Sequence, residues 1–231
     1  MRLSVIVPVY NERDQVESII RRVLAVPIEK EVIVVDDGST DGTDKALAAL
    51  ASDQVRVIRQ EPNQGKGAAI RRAIPKARGD AIIIQDADGE YAPEEYAHLL
   101  APLERGEAQV VYGTRFRSPA GRRIWPEQMR PANYLMNRLL ALLVNVLYGG
   151  RLSDEATCYK LFQRELLQSI PLECQRFEFC PEVTAKVLRQ GIRILEVPIS
   201  YRARTVREGK KINWKDGVQA IWTLFRYRFR K

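Results

Sequence analysis

The chain has 231 residues, 45% of them apolar, with 37 Lys and Arg against 29 Asp and Glu. That length fits one compact α/β domain over residues 1–231, or a domain with a small appended lobe, and the net charge of +8 favours anionic partners: nucleotide phosphates, nucleic acid or acidic lipid headgroups. The single histidine, His98, sits in a surface-helix pattern with no nucleophile motif beside it, which excludes a multi-imidazole zinc site and the hydrolases that need histidine as base.

In chain order, residues 3–9, 31–36, 55–59, 81–85 and 109–113 read as short apolar strands. Helical patterns lie near 13–26, 43–51, 67–77 and 93–105. This alternation predicts a mostly parallel, Rossmann-like sheet flanked by helices. Residues 119–131 are basic and proline-containing and predict a long, mobile loop of the lid type. A helix at about 132–148 follows, then SDEATCYKLF, a helix near 181–190, a strand at 193–199 and a basic stretch at 201–211.

In the last helix Trp214, Val218, Ile221, Trp222, Phe225 and Phe229 recur at helical spacing, with Arg226, Arg228, Arg230 and Lys231 at its end. Two readings of this amphipathic stripe stay open: a helix packed on the core, or one lying in a membrane interface. LSVIVPVY is too short for a secretory signal, and 134–148 is too short to span a bilayer. Cys158, Cys174 and Cys180 form no CxxC pair and read as reduced thiols of a cytoplasmic protein.

Polar motifs follow strands one, two and four, the strand ends where parallel α/β sheets bind ligands. They are Pro8-Val9-Tyr10-Asn11-Glu12, then Asp36-Asp37-Gly38-Ser39-Thr40-Asp41-Gly42, then Gln85-Asp86-Ala87-Asp88-Gly89-Glu90. Either acidic run alone is consistent with a turn, with Asp41 or Thr40 capping a helix. Together they gather carboxylates that repel one another, and a hard divalent cation, Mg2+ or Mn2+, relieves that repulsion through oxygen ligands. Asn63-Gln64-Gly65-Lys66-Gly67 is not a Walker A loop, because no Ser or Thr follows its Gly-Lys. It reads either as an anion-favouring helix start carrying Lys66 or as a plain helix-start loop.

VIVPVYNE, VVDDGSTDGT, NQGKGAAI and QDADGEY, in this order and spacing, resemble the family 2 glycosyltransferases of GT-A fold. GTRF, SDEATCYKLF, VPISYRAR and EGKKI resemble the branch that makes dolichyl- or polyprenyl-phosphate sugars. The resemblance implies a nucleotide-sugar-binding half at 1–115 and an acceptor-binding half at 116–231. It implies that Pro8, Tyr10 and Glu12 border the nucleoside, and that Asp37 accepts from the base with Asp36 beside it. Asp86, Ala87 and Asp88 match the DxD motif, with Glu90 as a third metal ligand. Arg204 and Lys210 belong to a basic segment closing over the diphosphate. Arg115 and Arg202 are implied for the acceptor phosphate, with the choice between Arg130 and Arg138 open, and Arg115 reads alternatively as a structural ion-pair partner. Asp154 stands near the acceptor, as the base if that acceptor is a hydroxyl.

The partners implied are a nucleotide sugar and a lipid phosphate at the cytoplasmic face of an anionic membrane, with or without an anchoring partner protein. Rival readings are a transferase with a soluble hydroxyl acceptor and a non-catalytic binding module. No nucleic-acid recognition motif is present.

Overall fold

A computed structural model describes residues 1–126, 129–204 and 214–230. Seven strands form one sheet: β1 (Leu3–Val9), β2 (Lys30–Asp36), β3 (Val55–Arg59), β4 (Ala81–Ile84), β5 (Val110–Thr114), β6 (Lys160–Gln163) and β7 (Ile194–Pro198), in the order β3-β2-β1-β4-β6-β5-β7. All pairings are parallel except those of β6 with β4 and β5. All seven residues of both β1 and β2 are buried, as central strands covered on both faces require, which is why their middles read as apolar runs.

The helices are α1 (Arg13–Ala25), α2 (Thr43–Leu50), α3 (Lys66–Ala73), α4 (Tyr96–Glu104), α5 (Pro131–Tyr148), α6 (Arg164–Ser169), α7 (Phe179–Arg189) and α8 (Trp214–Phe229). The pattern at 67–77 ends early because Pro75 has no amide to donate and turns Ile74–Lys76 into 3-10 helix. Strand β6 and helix α6 were not anticipated: KLFQ is too short to show a period.

The segment before α5 is folded back on itself rather than open. Arg117 and Arg123 bridge in antiparallel fashion, and the Trp125 ring stacks on Tyr134 with centroids 4.1 Å apart. The α8 stripe also departs from the core-packed reading. Asp216, Ala220, Thr223, Leu224 and Tyr227 are the buried side chains, whereas Trp214, Val218, Trp222, Phe225 and Phe229 are exposed. Among the described residues no helix is long and apolar enough to cross a membrane.

Candidate active site

The carboxyl ends of β1, β2 and β4 open on a cavity of about 880 Å3, lined by Pro8, Tyr10, Glu12, Asp37, Lys66, Asp86, Ala87, Asp88, Glu90 and Arg204. Local chemistry fixes its rim. After β1 the chain turns through Asn11 at φ 51°, a left-handed conformation that Asn tolerates. Its Oδ1 accepts from the Thr40 amide at 2.9 Å, and its own amide donates to Ser39 Oγ at 2.9 Å. Asp41 accepts from the Thr43 amide, opening α2, and from the Arg13 amide, opening α1. Much of the DDGSTDG run therefore ties two loops together.

Asp36 and Asp37 differ in placement. Asp36 Oδ1 accepts from the Ser39 amide, its Oδ2 is buried with no hydrogen-bond partner among the described residues, and it does not line the cavity. Asp37 lines the cavity, yet its carboxylate accepts from Gln60 Nε2 and from the Gln64 and Gly65 amides. It holds the 60–65 loop in place.

The start of α3 is not an open anion site. The Gly67 and Ala68 amides donate to Arg176 O and Gln175 O, each at 2.9 Å, so the loop before α7 satisfies the helix end. What faces the cavity is the Lys66 ammonium, 2.5 Å from Asp86 Oδ1. Burial disfavours that charge, but the Asp86 carboxylate outweighs it and holds the Lys66 pKa above its ordinary value. Contact is close because Gly65 and Gly67 lack side chains: a Cβ on Gly65, at φ 96°, would lie 2.5 Å from Gln175 O. Gly65→Ala is expected to lose about 1–3 kcal/mol to backbone strain alone, with a further cost from the clash. A thermal melt beside a nucleotide titration checks this: both stability and nucleotide affinity should fall.

Asp88 lies across the cavity, with Oδ2 3.4 Å from Arg204 Nη2 and Oδ1 accepting from the Glu90 amide. Burial, then repulsion from Asp86 and Glu90, pushes its carboxyl pKa up to about 7. The Arg204 guanidinium also pairs with both oxygens of Glu12 at 3.1 Å. Glu90 is not gathered with Asp86 and Asp88 into a three-carboxylate cage. Its carboxylate accepts from the Tyr201 hydroxyl and the Arg204 amide, both at 2.6 Å, and so ties down residues 201–204. Among the described residues no group of three or more His, Cys, Asp and Glu could hold a metal unaided.

Arg115 and Asp154 come together as one buried ion pair. Arg115 Nε and Nη2 each donate to Asp154 at 2.7 Å, and the Arg115 amide adds a third bond at 2.9 Å. The guanidinium also lies 4.9 Å from the Tyr201 ring centroid. Both Asp154 oxygens are thus occupied by Arg115. Arg130 and Arg202 are exposed, and Lys210 lies outside the described residues. Sequence reasoning missed Gln175, Arg176 and Phe177, which line the cavity. The two glycines signalled a close approach but not its partner. The cavity also crosses the expected division into halves, because 175–177 and Arg204 come from the second.

The family described as "Glycosyl transferase family 2" matches residues 4–170. Polyprenol monophosphomannose synthase of Mycolicibacterium smegmatis is 30% identical over 90% of this chain and 80% of its own length. Undecaprenyl-phosphate mannosyltransferase of Micrococcus luteus is 31% identical over 91% of this chain and 87% of its own length. Among solved structures, glucosyl-3-phosphoglycerate synthase from Mycobacterium tuberculosis, in complex with Mg2+ and UDP, has a TM-score of 0.72 at 25% identity, covering 97% of this chain and 78% of that one. The GT-A architecture anticipated from the motifs is the one found. With the family match covering most of the chain and relatives aligned along nearly all of it, the protein belongs to glycosyl transferase family 2.

Proposed function

We propose that this glycosyltransferase moves a hexose from a nucleotide sugar of the GDP-mannose or UDP-glucose type to a polyprenyl or dolichyl phosphate, with inversion at the anomeric carbon. The observation that carries the proposal is the meeting of Asp86, Asp88, Lys66 and Arg204 on the wall of one large cavity. The acceptor class is supported by the names of the relatives, two of which act on polyprenol or undecaprenyl phosphate.

The donor set fits Mg2+ or Mn2+. Asp86 and Asp88 offer hard oxygen ligands beside open space. Asp86 and Asp88 would hold the ion from the protein side. When bound, the ion neutralises charge developing on the departing nucleoside diphosphate. The protein's own part is positional. Lys66 and Arg204 hold the two carboxylates apart and present cations to a diphosphate entering between them. Pro8, Tyr10 and the 60–65 loop held by Asp37 shape the nucleoside end, and Gln175 to Phe177 close the side over α3.

An acceptor phosphate is already anionic and needs no strong base. The ion-paired state of Asp154 supports that reading over a hydroxyl acceptor, for which Asp154 was the candidate base. The proposal places the protein at the cytoplasmic face of an anionic membrane, with 1–115 supplying most of the donor site and 116–231 the acceptor side. Purified protein with nucleotide sugars, Mg2+ and undecaprenyl phosphate in detergent tests it by chromatography of lipid-linked product. Product is expected only with the polyprenyl phosphate present, and chelation should remove it. Transfer to soluble hydroxyl acceptors alone would contradict the proposal.

A further inference from the structure

Helix α7 carries two carboxylates one turn apart, Glu178 at its start and Glu182 in its first turn. Between them they receive four consecutive backbone amides. Glu182 accepts from the Glu173 and Cys174 amides at 2.7 and 2.6 Å, and Glu178 accepts from the Gln175 and Arg176 amides at 2.7 and 3.1 Å. The carbonyls of the same residues are taken as well. Arg71 Nη1 donates to Glu173 O and Cys174 O, each at 3.3 Å, and the Ala68 and Gly67 amides donate to Gln175 O and Arg176 O, each at 2.9 Å. Residues 173–176 are therefore an arm in which every amide and carbonyl has a partner. Glu182 is fully buried, with its charge met by Lys186 at 2.5 Å.

The arm brings Arg176 to the wall of the donor cavity, over the start of α3. Gly65 makes room for its stem: a Cβ there would lie 3.0 Å from Arg176 Cγ. Among the described residues the cations lining the cavity are Lys66, Arg176 and Arg204. Lys66 is paired with Asp86, and Arg204 with Glu12 and Asp88. The Arg176 guanidinium has neither a hydrogen bond nor an ion pair among the described residues. Its backbone is held at both the amide and the carbonyl, so little ordering of the chain is needed when a ligand arrives.

Position and chemistry narrow the ligand. Arg176 stands beside Gly65 and Lys66, between the 60–65 loop at the nucleoside end and the Lys66–Asp86 pair where a diphosphate enters. The groups of a nucleotide sugar that match a planar guanidinium fork are its phosphate oxygens.

We propose that Arg176 is a further donor-binding residue whose guanidinium grips the phosphates of the nucleotide sugar, and that Glu178 is a positioning residue that fixes it there. This deepens the proposed donor site and rests on that reading, but it makes no use of the acceptor.

Calorimetric titration of the full chain with UDP and with GDP, each with Mg2+, tests the assignment without requiring transfer. Arg176→Gln changes an exposed side chain and is expected to weaken the nucleotide that wild type binds by about tenfold, the size of one charge-assisted contact. Arg176→Lys should recover most of that loss. In transfer assays the glutamine variant should raise donor KM by a similar factor with kcat within about twofold, because the contact is made equally before and during reaction. Glu178→Gln keeps one oxygen for two amides and should also raise donor KM, yet add little when combined with Arg176→Gln. Near-ultraviolet dichroism verifies that each variant folds. Unchanged UDP and GDP affinity in folded Arg176→Gln overturns the assignment. So does a loss seen only with a donor whose sugar carries a carboxylate, such as UDP-glucuronate, which would move Arg176 to the sugar. Losses that add fully in the double variant overturn the positioning role of Glu178. Nucleotide affinity that falls in Arg176→Gln, in a protein that transfers nothing to polyprenyl phosphate, supports this inference and counts against the acceptor reading instead.

Discussion

Replacing Asp86 or Asp88 by asparagine is expected to lower sugar transfer by about a thousandfold or more, with the protein still folded. Loss of several kcal/mol of charge stabilisation at a departing diphosphate corresponds to a drop of that order. The fold should survive because neither side chain is part of the apolar core; both stand on the wall of an open cavity. Asp86→Asn also leaves the Lys66 ammonium without its 2.5 Å partner, so nucleotide binding without metal is expected to hold or improve while transfer is lost. Single-turnover transfer assays beside nucleotide titrations check both statements. Transfer within about tenfold of wild type in either variant, roughly 1.4 kcal/mol, would remove the carboxylates from the proposed chemistry.

The second large effect is on stability. Asp154→Ala should destabilise the protein by about 3–5 kcal/mol, because it leaves the Arg115 guanidinium charged, buried and unpaired. The cost comes from the stranded charge. Replacing both partners by apolar residues of similar volume is expected to cost far less than replacing Asp154 alone. Denaturant unfolding of the single and double variants measures the difference. A folded Asp154→Asn variant that keeps its transfer rate would agree with an anionic acceptor that needs no base, and one that loses transfer with its fold and donor affinity intact would bring back the hydroxyl acceptor.

Much of the first half of the fold was legible because β1, β2 and β4 are buried on both faces and read as largely apolar runs. Strand β6 was not. Its four residues owe their place to neighbours, Phe162 opposite Ile82 and Leu161 opposite Val111, and no local signal encodes an antiparallel strand inserted between β4 and β5. The α8 stripe showed a different limit. Helical spacing revealed one apolar face but not which way it points, and the smaller Ala220 and Thr223 turned out to face the core beside Leu224 and Tyr227.

The site divides in the same way. The sequence placed Glu12, Asp86 and Asp88 after strand ends and Lys66 at a helix start, and they share the cavity. The partners of those carboxylates are set by tertiary structure. Arg204 reaches Asp88 and Glu12 from the far end of the chain, and Glu90 is drawn to Tyr201 and the Arg204 amide. Arg115 and Asp154, assigned separate tasks by resemblance, satisfy each other because burying either alone is prohibitive. All three cysteines are free, and burial pushes the Cys158 thiol well above its usual range.

The most direct measurement is the electron paramagnetic resonance signal of free Mn2+ titrated into the protein with UDP or GDP present. The proposal predicts that wild-type protein and nucleotide together remove the free-ion signal, that neither does so alone to the same extent, and that Asp88→Asn abolishes the cooperation. Nucleotide binding equally tight with chelator present, and a free Mn2+ signal unchanged by wild-type protein, would contradict it.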